Sequence, residues 1–191
     1  MPNASQKQRD RQWADRIRAG DREAFERLFR AYADALCTFA AQHVDDEALA
    51  EDLVQDVFCD LWDRREEWRP QGSVKAYLFR AVRNTSLDHL EHRRVVQEWE
   101  DEEKRRNPAP EPRRGPADAL QHRELKRAMQ EAVEELPERR RLVYRMARRH
   151  DMSYAEIASA LEIAPKTVEN QMGRALKALR DRLAKYAAFL Q

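Results

Sequence analysis

A cluster of prolines divides this chain into two parts. Four of its eight prolines fall between residues 107 and 116: Pro108, Pro110, Pro112 and Pro116. Proline has no backbone N–H and disfavours the helical region for the residue before it, so no helix or strand can continue through this segment. An acidic run at residues 98–103 precedes it. The sequence therefore predicts a flexible, acidic and proline-rich linker over residues 97–118 between two folded units.

Both folded units are predicted to be helical. The chain has only four glycines and few runs of Val, Ile or Thr, which leaves little material for a sheet. Apolar residues instead recur three or four positions apart, as in the series Phe25, Leu28, Phe29, Tyr32, Leu36 and Phe39. We expect an all-α protein with a disordered tail over residues 1–12, a helical bundle over 13–96 and a second helical domain over 119–191.

Helix-start signals set the expected boundaries within the bundle. Asp21 is a natural N-cap for a helix that runs to about residue 43, and a shorter helix is expected before it near residues 13–19. Asp46 marks the next helix start, and a further helix is expected over residues 73–94. These helices would share one apolar core.

Opposite charges collect on two consecutive helices of this bundle. Residues 41–68 hold ten acidic and two basic residues, whereas residues 69–96 hold two acidic and six basic residues. Asp52, Asp56 and Asp60 align on one face at i, i+4 and i+8. The first surface would attract a basic partner and the second a polyanion. An anionic helix face is also commonly a plain solvated surface, and that alternative stays open here.

The basic helix carries Arg80, Arg83 and Asn84 in one sector, and Trp68 lies in the loop before it. An aromatic ring beside cations and a side-chain amide is suited to holding the unstacked bases of a single nucleic-acid strand. The alternative is that Trp68 only closes the end of the bundle. The residues alone do not decide between these two interpretations.

The second unit is predicted to contain a helix-turn-helix. Ser153 and Glu156 fit a capping box, a tight turn follows at residues 162–164, and Pro165 begins a longer helix. This helix would bury Val168, Met172, Ala175, Leu179 and Leu183. Its outward face would carry Lys166, Thr167, Glu169, Asn170, Arg174 and Lys177. Such a face can read base edges and hold phosphates, although similar hairpins also serve as packing units.

Other functional classes find little support in the sequence. No stretch approaches the ~20 apolar residues of a membrane span, and the N-terminus lacks the apolar core of a signal peptide, so we expect a cytoplasmic protein. Cys37 and Cys59 are lone thiols that are best interpreted as small buried hydrophobes. His89 and His92 lie at i, i+3, but no further ligand completes a metal site. We expect no metal, no cofactor and no enzymatic activity.

Seven short motifs, taken in order, resemble the extracytoplasmic-function (ECF) sigma factors, a bacterial subfamily of the sigma-70 family. They span most of the chain, from about Trp13 to Leu183. The motifs are residues 20–25 (GDREAF), 50–58 (AEDLVQDVF), 77–84 (YLFRAVRN), 88–90 (DHL), 136–137 (LP), 156–158 (EIA) and 167–169 (TVE). This resemblance implies two helical domains, sigma region 2 and sigma region 4. It also implies an alternative sigma factor that binds core RNA polymerase and directs promoter recognition, DNA melting and transcription initiation.

The resemblance further assigns roles to the candidate residues. The clamp coiled coil of the polymerase would contact Asp52, Leu53, Gln55 and Asp56. The −10 promoter element would be captured and melted, as single-stranded DNA, by Trp68, Arg80, Arg83 and Asn84. The −35 element would be read, as duplex, by Lys166, Thr167, Glu169, Asn170, Arg174 and Lys177. The polymerase flap and an anti-sigma factor are further implied partners.

This sequence departs from the family pattern at several positions. Tyr77 stands where Trp is common, and His150-Asp151 and Glu162 stand where Gly is frequent. Glu169 and Gln171 occupy recognition-helix positions that are often basic. These departures leave the promoter sequence preference open.

A second function accounts for part of the sequence. A stand-alone transcription regulator would use the same helix-turn-helix on an operator, with the N-terminal bundle for sensing or dimerisation. That alternative does not explain why the acidic face at Asp52, Gln55 and Asp56 precedes a basic helix with Trp68 in the connecting loop.

Overall fold

The structure is a computed structural model. It describes the backbone of residues 4–44, 46–70, 72–100 and 120–184, and the side chains of residues 5–44, 46–70, 72–93 and 127–184. Within these ranges the chain forms eight α-helices and no strand, which confirms the all-α prediction. The helices are α1 (Ala4–Arg18), α2 (Arg22–Val44), α3 (Glu47–Asp63), α4 (Val74–Glu100), α5 (Leu120–Glu134), α6 (Glu138–Arg148), α7 (Tyr154–Leu161) and α8 (Pro165–Leu183). No helix within the described ranges is both long enough and apolar enough to cross a membrane.

The first helix begins much earlier than the sequence pattern indicates. Because α1 begins at Ala4, the prediction of a disordered tail over residues 1–12 is wrong for residues 4–12. Asp10 is only 3% exposed, and it accepts a hydrogen bond from the Tyr32 hydroxyl of α2. Burial and this neighbouring carboxylate raise the pKa of Tyr32. A buried polar pair produces no apolar periodicity, so the sequence pattern underestimates the length of α1.

The predicted caps define the starts of α2 and α3. Asp21 Oδ1 accepts a hydrogen bond from the Ala24 backbone N–H at 3.1 Å, and this bond, followed by the hydrogen bond from Arg16, lowers the pKa of Asp21. Asp46 Oδ1 accepts from the Leu49 N–H, also at 3.1 Å. Each cap satisfies a backbone donor that the first helical turn leaves unpaired.

Helices α1 to α4 form the N-terminal bundle. Leu53, Val57 and Leu61 form the predicted apolar line of α3, and all three are buried. The Phe58 ring packs edge-on against Phe29 of α2, with ring centroids 4.9 Å apart. Because the apolar face of α3 packs against α2, its acidic face points away from the core.

Helix α4 extends beyond its predicted end at residue 94 and reaches Glu100. No proline or glycine interrupts residues 74–100, so the helix can continue into the acidic run. The predicted linker over residues 97–118 therefore begins inside this helix. The rest of the linker lies outside the described residues.

The C-terminal helices confirm the predicted helix-turn-helix. Ser153 and Glu156 form both hydrogen bonds of a capping box at the start of α7. Glu162 ends α7 in the left-handed region with φ 55°, and Pro165 is the first residue of α8. Asp151 also has a positive φ, of 47°. Both residues adopt the left-handed conformation that Gly adopts without steric cost.

The N-terminal bundle and the C-terminal helices share one hydrophobic core. Helix α7 packs against α4, and the buried residues of both units form a continuous cluster. The His150 ring lies against Phe79 of α4, with centroids 4.9 Å apart, and against Phe39 of α2, at 6.1 Å. A smaller second cluster joins α5 to α8 through Ala132, Leu136, Ala175 and Leu179.

Candidate nucleic-acid interface

The outer face of α3 is a surface of unpaired negative charge. Asp52, Gln55 and Asp56 are exposed, as is Asp60 one turn further along. None of these side chains forms an ion pair or hydrogen bond within the part of the chain that the structure describes. Leu53, which was also predicted as a contact, is only 5% exposed. The Leu53 side chain belongs to the apolar face of α3, and its contact with polymerase stays a prediction.

Trp68 does not offer its ring to solvent. It is 5% exposed, and its ring packs against Tyr77 with centroids 5.8 Å apart and an interplanar angle of 60°. Its indole Nε1 is buried and has no hydrogen-bond partner among the described groups. The apolar ring closes the end of the bundle in this conformation, and a contact of Trp68 with the −10 element stays a prediction.

A cavity of about 480 Å³ opens beside this aromatic pair. Its walls come from α3, α4 and the connecting loop, and they include Trp68, Tyr77, Asn84, Thr85 and Asp88. The volume falls within the ~300–1,000 Å³ range of ligand pockets. Two aromatic residues with an amide, a hydroxyl and a carboxylate are the groups that hold an unstacked base.

The predicted cations of α4 lie next to this cavity. The Arg80 guanidinium lies over the Tyr77 ring, 6.0 Å from its centroid, and Nη1 of Arg80 is 3.8 Å from the Glu162 carboxylate. Arg83 donates a hydrogen bond to the Asn84 side chain at 3.4 Å. The structure therefore brings Arg80, Arg83 and Asn84 together on one side of α4, as predicted.

Several residues of this surface were not predicted. The sequence singled out Tyr77 only as a departure from a family pattern, yet its ring joins Trp68 to Arg80. Thr85 and Asp88 also line the cavity. Helical spacing could have identified Tyr77 and Asp88, because both lie on the same face of α4 as Asn84. Tyr77 is seven residues, or about two turns, before Asn84, and Asp88 is four residues after it.

The outward face of α8 carries the predicted polar residues, and all are exposed: Lys166, Thr167, Glu169, Asn170, Arg174 and Lys177. Val168, Met172, Ala175 and Leu179 are buried, also as predicted, whereas Leu183 is only half-buried. Lys166 and Glu169 form an ion pair at 2.8 Å on this face. Thr167, Asn170, Arg174 and Lys177 have no partner within the described residues, so their donors and charges are available to a ligand.

The two cysteines differ in their exposure to solvent. Cys37 is half-buried, and burial raises the pKa of its thiol. Cys59 is exposed on the outer side of α3, so the prediction of a buried hydrophobe is wrong for this residue. The described residues contain no group of three or more His, Cys, Asp or Glu side chains that could hold a metal ion.

Comparisons with known proteins identify both halves of the chain. The pattern described as Sigma-70 region 2 matches residues 28–95, and Sigma-70 region 4 matches residues 126–179. The RNA polymerase sigma factor CarQ of Myxococcus xanthus is 29% identical over 170 residues, which cover 88% of this chain and 94% of CarQ. The ECF RNA polymerase sigma factor SigE of Mycolicibacterium smegmatis is 29% identical over 173 residues, which cover 88% of this chain and 66% of SigE.

A solved structure shares the fold. It is the sigma factor RpoE in complex with the anti-sigma factor NepR from Bartonella quintana, with a TM-score of 0.59 and 23% identity. The match covers 84% of this chain and 96% of the RpoE chain.

Proposed function

Because this chain belongs to the ECF group of the sigma-70 family of RNA polymerase sigma factors, we propose how its three surfaces divide the work of transcription initiation. It is an alternative sigma factor, which directs core RNA polymerase to promoters by binding and not by catalysis. The N-terminal bundle over residues 13–96, extended by α1, acts as region 2. Residues 119–191 act as region 4. Because polymerase and chromosome are cytoplasmic, the protein acts in the cytoplasm.

The acidic face of α3 binds the polymerase clamp. Asp52 and Asp56 lie one turn apart and have no internal partner, so a basic partner can neutralise them without breaking any existing ion pair. Gln55 adds a donor and an acceptor on the same face. Complementary charge of this kind accelerates association and fixes the orientation of the complex.

The surface of α4 receives the −10 element as a separated strand. The cavity beside Tyr77 and Asn84 accepts a base that has left the stack, while Arg80 and Arg83 hold the phosphates next to it. Trp68 supports Tyr77 from inside the bundle. In this assignment Trp68 positions the aromatic wall of the cavity and does not itself stack on DNA.

The outward face of α8 reads the −35 element in duplex form. Thr167 and Asn170 lie near the start of the helix, where short polar side chains can reach base edges. Arg174 and Lys177 lie further along, where cations meet the phosphate backbone. Glu169 is held by Lys166, and this pair limits how far either side chain reaches into the groove.

An anti-sigma factor is a further partner. RpoE of Bartonella quintana, which shares the fold, was solved in complex with an anti-sigma factor. By analogy, a protein of that class would bind this chain and prevent its assembly with polymerase.

The observation that carries the proposal is that three surfaces of different chemistry occur on one chain: unpaired carboxylates on α3, clustered cations beside an aromatic cavity on α4, and a polar recognition face on α8. The test is to combine the purified chain with core RNA polymerase and a library of promoter fragments, and to measure strand opening by permanganate reactivity. Opening that requires both proteins supports the proposal. Tight sequence-specific duplex binding without affinity for core polymerase would contradict it and favour a stand-alone regulator.

A further inference from the structure

The recognition helix α8 contains a glycine in its interior. Of the glycines that the structure describes, Gly173 is the one that lies within a helix. Apart from proline, glycine is the least favourable residue in a helix interior, because it loses the most backbone freedom when the helix forms. Helix α8 therefore carries a destabilising residue in its middle, and either the fold or the function should require it.

The fold does not require a glycine at this position. Gly20 and Gly72 have positive φ values of 86° and 81°, whereas Gly173 has the ordinary backbone conformation of its helix. A Cβ built on Gly173 meets no atom within 4 Å among the described residues, apart from its chain neighbours and the backbone of its own helix. An alanine would therefore fit here without strain and would stabilise α8.

Gly173 lies in the middle of the face that is proposed to read duplex DNA. Lys166, Asn170, Gly173 and Lys177 follow each other along one side of α8 at i, i+4, i+7 and i+11, and all four are exposed. The buried stripe of α8 lies on the opposite side. The row of outward side chains is therefore interrupted at its centre, where the helix backbone is bare between Asn170 and Lys177.

Neighbouring side chains do not close this gap. Glu169 lies one turn before Gly173, and its carboxylate is paired with Lys166 at 2.8 Å, which draws it toward the start of α8. Arg174 projects about 100° further around the helix. The gap is therefore an open depression, which we call the Gly173 notch: the exposed backbone of Gly173 between the side chains of Asn170 and Lys177.

The Gly173 notch offers an apolar surface. The N–H and C=O groups of Gly173 belong to the hydrogen-bond ladder of α8, so the group that it presents outward is the Cα methylene. In the major groove, the base edges present hydrogen-bond donors, acceptors and one apolar group, the C5-methyl group of thymine. The notch therefore matches thymine in chemistry, and it matches a protruding methyl group in shape.

We propose that the Gly173 notch receives the C5-methyl group of one thymine in the −35 element. This inference rests on the proposed function of α8. The missing side chain lets the helix backbone approach the base edge closely, while Asn170 beside it is free to form hydrogen bonds within the groove. Gly173 thus determines specificity at one base pair through steric fit. The polar residues of the face do not supply this preference.

The test uses the full chain together with core RNA polymerase. The probe is a fluorescein-labelled duplex that the wild-type complex enriches from a randomised duplex library, and binding is followed by anisotropy. Each thymine of the duplex is replaced in turn by deoxyuridine, which removes only the C5-methyl group. At one position we expect this replacement to weaken wild-type binding about two- to fourfold, because one apolar contact is lost.

Gly173→Ala should separate stability from binding. The variant should unfold at a higher urea concentration than the wild type, because alanine favours the helix. It should bind the enriched duplex at least about fivefold more weakly, because two methyl groups then compete for one space. Deoxyuridine at the critical position should restore much of this loss. The same DNA change would therefore weaken wild-type binding and strengthen binding by Gly173→Ala.

Two further variants distinguish steric fit from helix flexibility. Leucine and alanine both favour a helix, so a requirement for a flexible α8 predicts similar losses in Gly173→Leu and Gly173→Ala. Steric fit predicts a much larger loss in Gly173→Leu, which deoxyuridine does not restore. Ala31→Leu adds bulk at an exposed residue of α2 and should bind like the wild type.

The outcomes separate this inference from the proposed function. Wild-type affinity in Gly173→Ala, equal losses in Gly173→Ala and Gly173→Leu, or the absence of any thymine whose replacement restores Gly173→Ala would each overturn the notch. Failure of the wild-type complex to enrich any sequence, or an enriched duplex that is bound equally well by Asn170→Ala and Arg174→Ala, would instead refute the proposed function of α8.

Discussion

The rings of Trp68 and Tyr77 pack together at 5.8 Å, and the buried indole Nε1 of Trp68 has no hydrogen-bond partner within the described residues. Trp68 therefore stabilises the end of the bundle from within, while Tyr77 forms the accessible wall of the cavity beside it. Trp68 thus has a structural role, and the proposed function gives the contact with DNA to Tyr77.

Substitutions of Trp68 should reveal this structural role. We expect Trp68→Ala to lower the free energy of unfolding by about 3–5 kcal/mol, because it leaves a large cavity in the core. Trp68→Phe should cost much less, because it keeps a ring and removes a buried donor that has no partner. Urea denaturation measures both. Wild-type stability in Trp68→Ala would show that the ring does not belong to the core.

The buried His150 predicts a pH dependence of the contact between α4 and α7. Burial lowers the pKa of His150 from 6.5 to about 4; the nearby Lys75 and Arg149 cations act in the same direction, and Asp151 opposes them. Because this packing holds the neutral ring, its stability is complete above pH 6.5 and declines as the pH falls toward 4. The stabilising free energy that is lost should reach roughly 2 kcal/mol near pH 5.

The check is the distance between spin labels attached through Arg30→Cys on α2 and Arg180→Cys on α8, with Cys37 and Cys59 replaced by Ser, measured at pH 7.5 and at about pH 5. We expect the acidic sample to show longer distances. His150→Phe keeps an aromatic ring between Phe39 and Phe79 but cannot be protonated, so it should make the distances insensitive to pH over this range. An equal response of the wild type and His150→Phe would assign the effect to another group.

Residues of α8 should differ in what they contribute to duplex binding. Arg174→Ala should weaken binding by a similar factor on all sequences and reduce the salt dependence by about one unit of slope, because a phosphate contact carries charge but no sequence information. Asn170→Ala should mainly reduce the preference for the cognate sequence, by ~1–3 kcal/mol. Anisotropy titrations at several salt concentrations measure both effects. An unchanged salt slope in Arg174→Ala would place Arg174 outside the interface.

Much of this fold could be predicted because its signals are local. The caps at Asp21 and Asp46, the capping box at Ser153 and Pro165 at the start of α8 each act within one helical turn. The outward face of α8 follows from its helical period, because a residue that is not on the apolar stripe must face solvent.

The rest could not be predicted because its causes are distant in sequence. Asp10 is stabilised by Tyr32, and Glu156 binds Ser73, 83 positions away. Neither polar contact leaves a periodic pattern in the sequence. Trp68 was ambiguous for another reason, since an aromatic residue in a polar loop fits both a surface and a core position. Only the packing of Tyr77 against it decides between them.

The most direct test of the central claim is the affinity of the chain for core RNA polymerase, measured with a fluorescent label on α8. Wild type should bind, whereas Asp52→Arg combined with Asp56→Arg should bind at least about tenfold more weakly, because two repulsive charges replace two attractive ones. Glu26→Arg combined with Asp34→Arg makes the same charge change at exposed positions on α2 and should bind like the wild type. Unchanged binding by the Asp52 and Asp56 variant would contradict the assignment of the α3 face to polymerase.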